Sequence, residues 1–205
     1  MASENASFEY LVDAIQSLPS IGKKNAVKIA YYLLDQDDYY IEEFVNRIKV
    51  AKQQLKKCIY CNNLTQNFNQ VCNICADQSR ASDQICIVTT CNDLQMIEDT
   101  NSYHGKYYVL WKELVAKKGE LINYLPINKL FGLIQTNHIK EVTLATNLTV
   151  DGRYTAKLLF NYLKATYPNL NIYSLGLGLP INASIDYADL ETIKYSLSNK
   201  QKIDK

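Results

Sequence analysis

Residues 58 to 75 read CIYCNNLTQNFNQVCNIC: two Cys-x-x-Cys pairs separated by a polar stretch with no carboxylate. Nothing else limits the local fold as tightly, because thiols at this spacing become disulfides, a redox pair or a metal clamp. The compartment weighs against disulfides. The opening MASENASFEY has neither the basic n-region nor the apolar h-region of an export signal. The longest apolar run, Ile29 to Leu34, is far below the roughly 18 residues of a membrane span. A cytoplasmic chain is expected, with its thiols reduced. A thioredoxin-like site uses one pair at the start of a helix, not two facing pairs. Zinc takes soft ligands in a tetrahedron, so Cys58, Cys61, Cys72 and Cys75 are assigned to one structural Zn2+ per chain, with no open position left for chemistry. Cys86, in the apolar run ICIV, reads as a buried core thiol, and Cys91 lies outside the pattern.

Upstream, SFEYLVDAIQSLP places Phe8, Leu11, Val12, Ile15 and Leu18 on one face of a helix, with Ser7 as its cap and Pro19 as its stop. A second helix is expected from Lys23, with Ala26, Val27, Ala30, Leu33 and Leu34 inward. Between them PSIG is a tight turn in which Gly22 frees the backbone for a close approach. Unpaired N–H groups at a helix start, beside Lys23 and Lys24, suit a phosphate oxygen. The same pattern also suits an ordinary helical hairpin with two solvated lysines, and locally the two do not separate. A third helix, Ile41 to about Leu55, carries Ile41, Phe44, Val45, Ile48 and Leu55 on one face. From Phe44 to Ala76 there is no Asp or Glu, while Arg47, Lys49, Lys52, Lys56 and Lys57 fall inside. On a chain of net charge +1 this is a local positive stripe, read as a nucleic-acid track.

Downstream, the apolar runs ICIV, YYVLW, EVTLA and NIYSL read as buried strands. Helical stretches at Asp93 to Glu98, about Leu121 to Asn137, and Gly152 to Thr166 alternate with them; Ala156, Leu159, Phe160 and Leu163 are expected to face inward. The alternation predicts an α/β fold with a largely parallel sheet, helices on both faces, and sites on its C-terminal edge at TTCND and ATNLTVDG.

Taken in order, these parts resemble the bacterial recombination mediator family RecR. The resemblance rests on LPSIGKKNAVKIAYYLL, which is similar to the helix-hairpin-helix pattern LPGIGxKxAxRxA, and on the cysteines ending VCNIC. It also rests on the strand after DQIC, on ATNLTVDG, and on GLGLPINASIDYADLETI. It implies a multi-part α+β chain: a helix-hairpin-helix region (1–57), a zinc finger (58–75), a Toprim domain (81–176) and a C-terminal oligomerisation segment (177–205). It further implies a non-enzymatic repair protein in the cytoplasm, at the nucleoid. Such a protein binds single- or double-stranded DNA, works with RecO and in some species RecF, and loads the strand-exchange recombinase. The family's clamp-like ring, a dimer pairing into a tetramer, places DNA contacts at Gly22, Lys23, Lys24 and Lys28.

Ser20 stands where the hairpin pattern has its first glycine, and GLPINA, with Asn182 and Ala183, stands where the family has GxPxGG. The loop KELVAKKGELINYLP replaces a proline- and glycine-rich one. No G-x-x-x-x-G-K-[ST] occurs, so nucleotide hydrolysis is not expected. Two other classes compete: a Mg2+-dependent Toprim nuclease or primase, and a zinc-ribbon adaptor that binds only protein. Toprim enzymes place a Glu after the first strand and Asp-x-Asp after a later one, where this chain has Thr89, Asn147 and Thr149. Asp93 and Asp151 remain near that edge as a partner or Mg2+ contact, Asp151 being equally well read as a helix cap. Self-association is expected from apolar faces at Phe8, Leu11 and Val12, and at Leu190, Ile193 and Leu197.

Overall fold

Phe8, Leu11, Val12 and Ile15 do share one face of a helix, α1 (Ala6–Gln16), in the computed structural model, which describes residues 6–176, 178, 179, 182 and 184–200. The chain divides into two units, Met1–Leu55 and Lys56–Lys205. In the first, α1 packs on α2 (Lys23–Leu34) through Val12 and Ile15 against Ala26 and Ala30, with Phe8 and Tyr31 rings 4.7 Å apart. Val12 is buried in this contact, while Phe8 and Leu11 are partly covered by it. Leu34, expected inward, is 62% exposed.

The turn between these helices corrects the role given to Gly22. That residue is extended (φ −80°, ψ 163°), a conformation open to any residue, and a Cβ there would meet nothing within 4 Å. The left-handed position is Ser20, at φ 65°. Helix α3 (Asp38–Gln54) starts earlier than expected because Asp37 caps it, accepting from Tyr40 N at 2.7 Å. None of its residues is buried; Phe44, Val45 and Ile48 stay exposed. Helical period reports which face is apolar, and here that face is not covered within the described chain.

The second unit begins with a ribbon, β1 (Lys56–Lys57) antiparallel to β2 (Leu64–Thr65), and a short helix α4 (Asn73–Ala76). The main sheet follows from β3 (Gln84–Val88), β4 (Lys106–Val109), β5 (Glu141–Ala145) and β6 (Asn171–Ser174), in the order β4–β3–β5–β6, every pair parallel. Alternation along the strands separates two cores. Ile85, Ile87, Tyr108, Val142 and Leu144 pack under α6 (Ile127–Thr136) and α7 (Val150–Thr166). Cys86, Val88, Tyr107 and Val109 pack under Leu94 of α5 (Cys91–Asp99). Burial pushes the Cys86 thiol up to about 12.

Three boundary or facing expectations change. Helix α6 starts at Ile127, not Leu121, because Pro126 holds Leu125 extended; 3-10 turns at Ala116–Lys118 and Ile122–Tyr124 fill the interval. Helix α7 is capped by Thr149, which accepts from Gly152 N at 3.0 Å, so Asp151 is not the cap. Phe160 is 44% exposed, while Leu159 and Leu163 are buried. Beyond β6, Asn182 has φ 66°, and Ala183 of the GLPINA run lies outside the described residues. Helix α8 (Leu190–Ser198) is capped by Asp189 and linked to α7 by Arg153–Glu191 at 2.9 Å; Leu190 and Leu197 remain exposed. Among the described residues no helix is long and apolar enough to cross a membrane.

Ser20 gives a direct test of the hairpin turn. Relief of left-handed strain outweighs the extra entropy of a glycine, so Ser20→Gly should stabilise the chain by roughly 0.5–1 kcal/mol in denaturant unfolding. A loss of stability would contradict the turn geometry.

Candidate functional site

The two knuckles bring Cys58, Cys61, Cys72 and Cys75 together with all four Sγ atoms within 4.8 Å of one another. Local backbone does most of this. Asn62 at φ 62° turns the chain back so that its N–H donates to Cys58 O at 3.1 Å, and Cys58 N donates to Asn63 O at 2.7 Å. In the second knuckle Cys72 is the N-cap of α4, its Sγ accepting from Cys75 N at 3.4 Å. Backbone N–H groups also point at sulfur from Asn63 to Cys61 and from Cys72 to Cys58, each at 3.4 Å. Such donors favour thiolates.

All the cysteines are free, and the Cys61 and Cys72 sulfurs stand 3.5 Å apart, well beyond a disulfide bond of about 2.05 Å. A tetrahedron with metal–sulfur bonds of about 2.3 Å has edges of about 3.8 Å, so the cluster has the right size for four-thiolate coordination. The hydrogen bond with Cys61 drives the Cys58 thiol far below its ordinary range, and the same bond drives Cys61 far above it. A divalent cation would accept every sulfur as thiolate. The four cysteines could therefore hold a metal ion, and the donor set is consistent with zinc.

The cluster is built into the edge of the main sheet. Val109 N donates to Cys61 O at 2.8 Å, and Asn62 Nδ2 to Val109 O at 3.3 Å, covering the open side of β4. The Lys106 ammonium donates to the carbonyls of Ile74 at 2.9 Å and Cys75 at 3.3 Å. Ile74 packs against both the cysteines and the α5 side of the sheet.

In the first unit Gly22, Lys23, Lys24 and Lys28 are all exposed, on the opening turns of α2. Gly22 provides no side-chain cap, and its carbonyl accepts from Asn25 N and Ala26 N at 3.0 Å. Among the described residues none of these lysines is paired with a carboxylate. Uncapped N–H groups and flanking ammonium groups can together receive a phosphate oxygen.

At the C-terminal edge of the sheet, sequence reasoning missed the central residue, Glu113. Its carboxylate accepts from Thr89 Oγ1 at 3.1 Å, Asn147 Nδ2 at 2.9 Å, Asn147 N at 3.3 Å and Thr149 Oγ1 at 3.1 Å. The three positions where Toprim enzymes are expected to carry carboxylates thus hold neutral donors facing one carboxylate. A Cβ on Gly152 would lie 2.8 Å from Glu113 Oε1 and 2.1 Å from Asn147 O, so only glycine fits there. Nothing but a charge shortly after an apolar strand pointed to Glu113. Asp93 closes a capping box with Thr90, and Asp151 accepts from Ala116 N at 2.9 Å. Each therefore already holds a backbone N–H. Among the described residues the cysteines are the one clustered set of potential metal ligands.

Hairpin, cysteine cluster and parallel sheet define the class: a helix-hairpin-helix protein with a four-cysteine module able to hold a metal on a Toprim-type sheet. Family models agree, one described as "RecR, helix-hairpin-helix" matching residues 8–52 and one described as "Toprim domain" matching residues 83–175. The chain is 42% identical over 201 residues to a recombination protein RecR of Ureaplasma parvum serovar 3, covering 98% of both chains. It is 34% identical to that of Ligilactobacillus salivarius over 94% of this chain and 96% of the relative, and 33% identical to that of Orientia tsutsugamushi over 100% and 99%. The chain belongs to the RecR family.

Stripping metal from the folded chain with a chelator should leave α1 and α2 protected while residues 56–77 and β4 lose protection in hydrogen exchange. Lowering the pH should release metal, because the ligands are thiolates and protons compete for them. Unchanged exchange at β4 in metal-free protein would show that the knuckles do not support the sheet.

Proposed function

We propose that the chain is a DNA-binding mediator of recombinational repair with no catalytic activity of its own, working in the cytoplasm at the nucleoid. The observation that carries this reading is the start of α2, where Gly22, uncapped backbone N–H groups and unpaired Lys23 and Lys24 form one exposed surface, with Lys28 a turn further on. Its chemistry suits phosphate and ignores base identity, as a protein loading other proteins at any sequence requires. The relatives' shared name, recombination protein RecR, supports the process.

In this reading one Zn2+ per chain sits in Cys58, Cys61, Cys72 and Cys75 and is structural, four protein ligands leaving no reactive position. The ligand to be held is DNA, single- or double-stranded, and the protein partners are RecO and, in some species, RecF, with which the strand-exchange recombinase is loaded. Copies of the chain close into a dimer-based tetrameric ring around DNA. The exposed apolar residues of α3 and α8, among them Phe44, Ile48, Leu190 and Leu197, support self-association, and closed symmetry of this kind is common.

Phosphoryl transfer with Mg2+ needs several converging carboxylates. The use of Thr89, Asn147 and Thr149 as donors to Glu113 supports a structural edge instead. Asp151 fits the same pattern by tying the segment at Ala116 to α7. No cleavage, relaxation or primer synthesis is expected with Mg2+ or Mn2+. Asp151→Ala should lower thermal stability and alter no turnover; a nuclease activity lost in that variant would refute the reading.

DNA affinity should fall steeply with salt, as lysine–phosphate contacts release counterions. Changing Lys23 and Lys24 together to Glu should abolish binding in an anisotropy assay while circular dichroism stays that of wild type. Binding that survives intact would place the contact elsewhere and remove the observation on which the reading stands.

A further inference from the structure

The sole tryptophan, Trp111, follows β4 with its backbone at φ 69°. A bulky residue in the left-handed region is a real outlier, and such strain persists where the surroundings over-determine it, often at functional positions. The surroundings here are specific. Trp111 N donates to Thr89 O at 2.8 Å, and the indole Nε1 donates to Asn62 O, on the first knuckle, also at 2.8 Å. The indole is thus anchored by its edge, and the side chain stays among the exposed large apolar groups at 37%. The Lys57 ammonium lies 4.2 Å from the ring centroid, a cation–π contact. Asn62 Oδ1 accepts from Lys129 Nζ at 3.3 Å, bringing a second ammonium to the residue whose backbone carbonyl anchors the indole. The next residue repeats the theme: Lys112 Nζ stands 5.1 Å over the ring of Tyr124, which is 57% exposed. Glu113, the acid next in sequence, has its carboxylate occupied by Thr89, Asn147 and Thr149.

We propose that Trp111 and Tyr124, with Lys57, Lys112 and Lys129, form a stacking platform for unpaired nucleobases, a second DNA-binding surface separate from the hairpin. Aromatic faces take bases of any identity, and ammonium groups beside them take the phosphates that connect those bases. A duplex keeps its base faces stacked inside and offers this surface only phosphates, so the platform prefers single strands. A structural link between knuckle and sheet alone would need only the indole edge; it would not account for an exposed ring with a lysine over it on a strained backbone. The platform rests on the DNA-binding reading above and names a site and a strand preference for it.

The test uses the intact, metal-loaded chain with a labelled oligothymidylate and a labelled duplex of equal length. Tyrosine-free excitation isolates Trp111 emission, while label anisotropy reports binding anywhere on the chain. The expected result is that the single strand quenches or shifts Trp111 emission in step with anisotropy, and the duplex does so weakly. Trp111→Gly relieves the left-handed backbone while deleting the ring, so it should fold and lose about tenfold or more in single-strand affinity, with duplex affinity nearly unchanged. Lys57→Gln, which keeps the tryptophan, should weaken the quenching. If anisotropy saturates with Trp111 emission unmoved, and Trp111→Gly binds single strands as wild type does, the platform is overturned and the hairpin reading stands. If neither DNA binds, both are overturned. Emission that responds to an acidic peptide and to no oligonucleotide overturns the platform in favour of a protein-docking face.

Discussion

Four sulfurs held within 4.8 Å of one another could hold a metal ion, and the start of the second unit is tied to the main sheet around them. The cluster closes two knuckles whose backbone then reaches the sheet: Cys61 O and Asn62 Nδ2 satisfy Val109, and Lys106 gathers carbonyls from the second knuckle. The open edge of β4 would otherwise present unpaired backbone groups. A metal ion held there would couple a coordination energy of order 10 kcal/mol to the main sheet, the ribbon β1–β2 itself having only a two-residue pairing. The same attachment fixes Asn62, and through it Trp111 and Lys129.

The parallel sheet imposes the second constraint. Its topology gathers the loops after β3, β4 and β5 at one edge, the place where α/β proteins build sites. Here the convergence is turned to cohesion: Thr89 from the first loop, Glu113 from the second, and Asn147 and Thr149 from the third form one hydrogen-bonded hub. Gly152 permits the close approach of α7 that the hub needs. A carboxylate already receiving four donors has little capacity left for a cation, which accords with the proposed non-catalytic role.

Much of this was legible in the sequence because it depends on local chemistry. Cysteine spacing pointed to the cluster, alternating apolar runs to the parallel strands, and LPSIGKKNAVKIA to the hairpin. What escaped was set by distant contacts or by single backbone angles. Glu113 acquires its meaning only when β3, β4 and β5 bring three loops together. Leu34, Phe160 and the apolar residues of α3 follow helical period yet stay exposed, because period marks a face without naming its cover. Ser20, standing where the hairpin pattern has its first glycine, takes the left-handed position, while Gly22 is extended, a difference of single dihedrals that composition does not show. Pro126 did carry a readable signal, since a proline inside a helical pattern marks a boundary.

Native mass spectrometry of the chain with and without a single-stranded oligonucleotide tests the central claim most directly, since one spectrum reports metal, subunit number and bound DNA. The account predicts a closed oligomer with one Zn2+ per subunit that retains the oligonucleotide as an intact complex. A metal-free monomer that carries no DNA under the same conditions would contradict it.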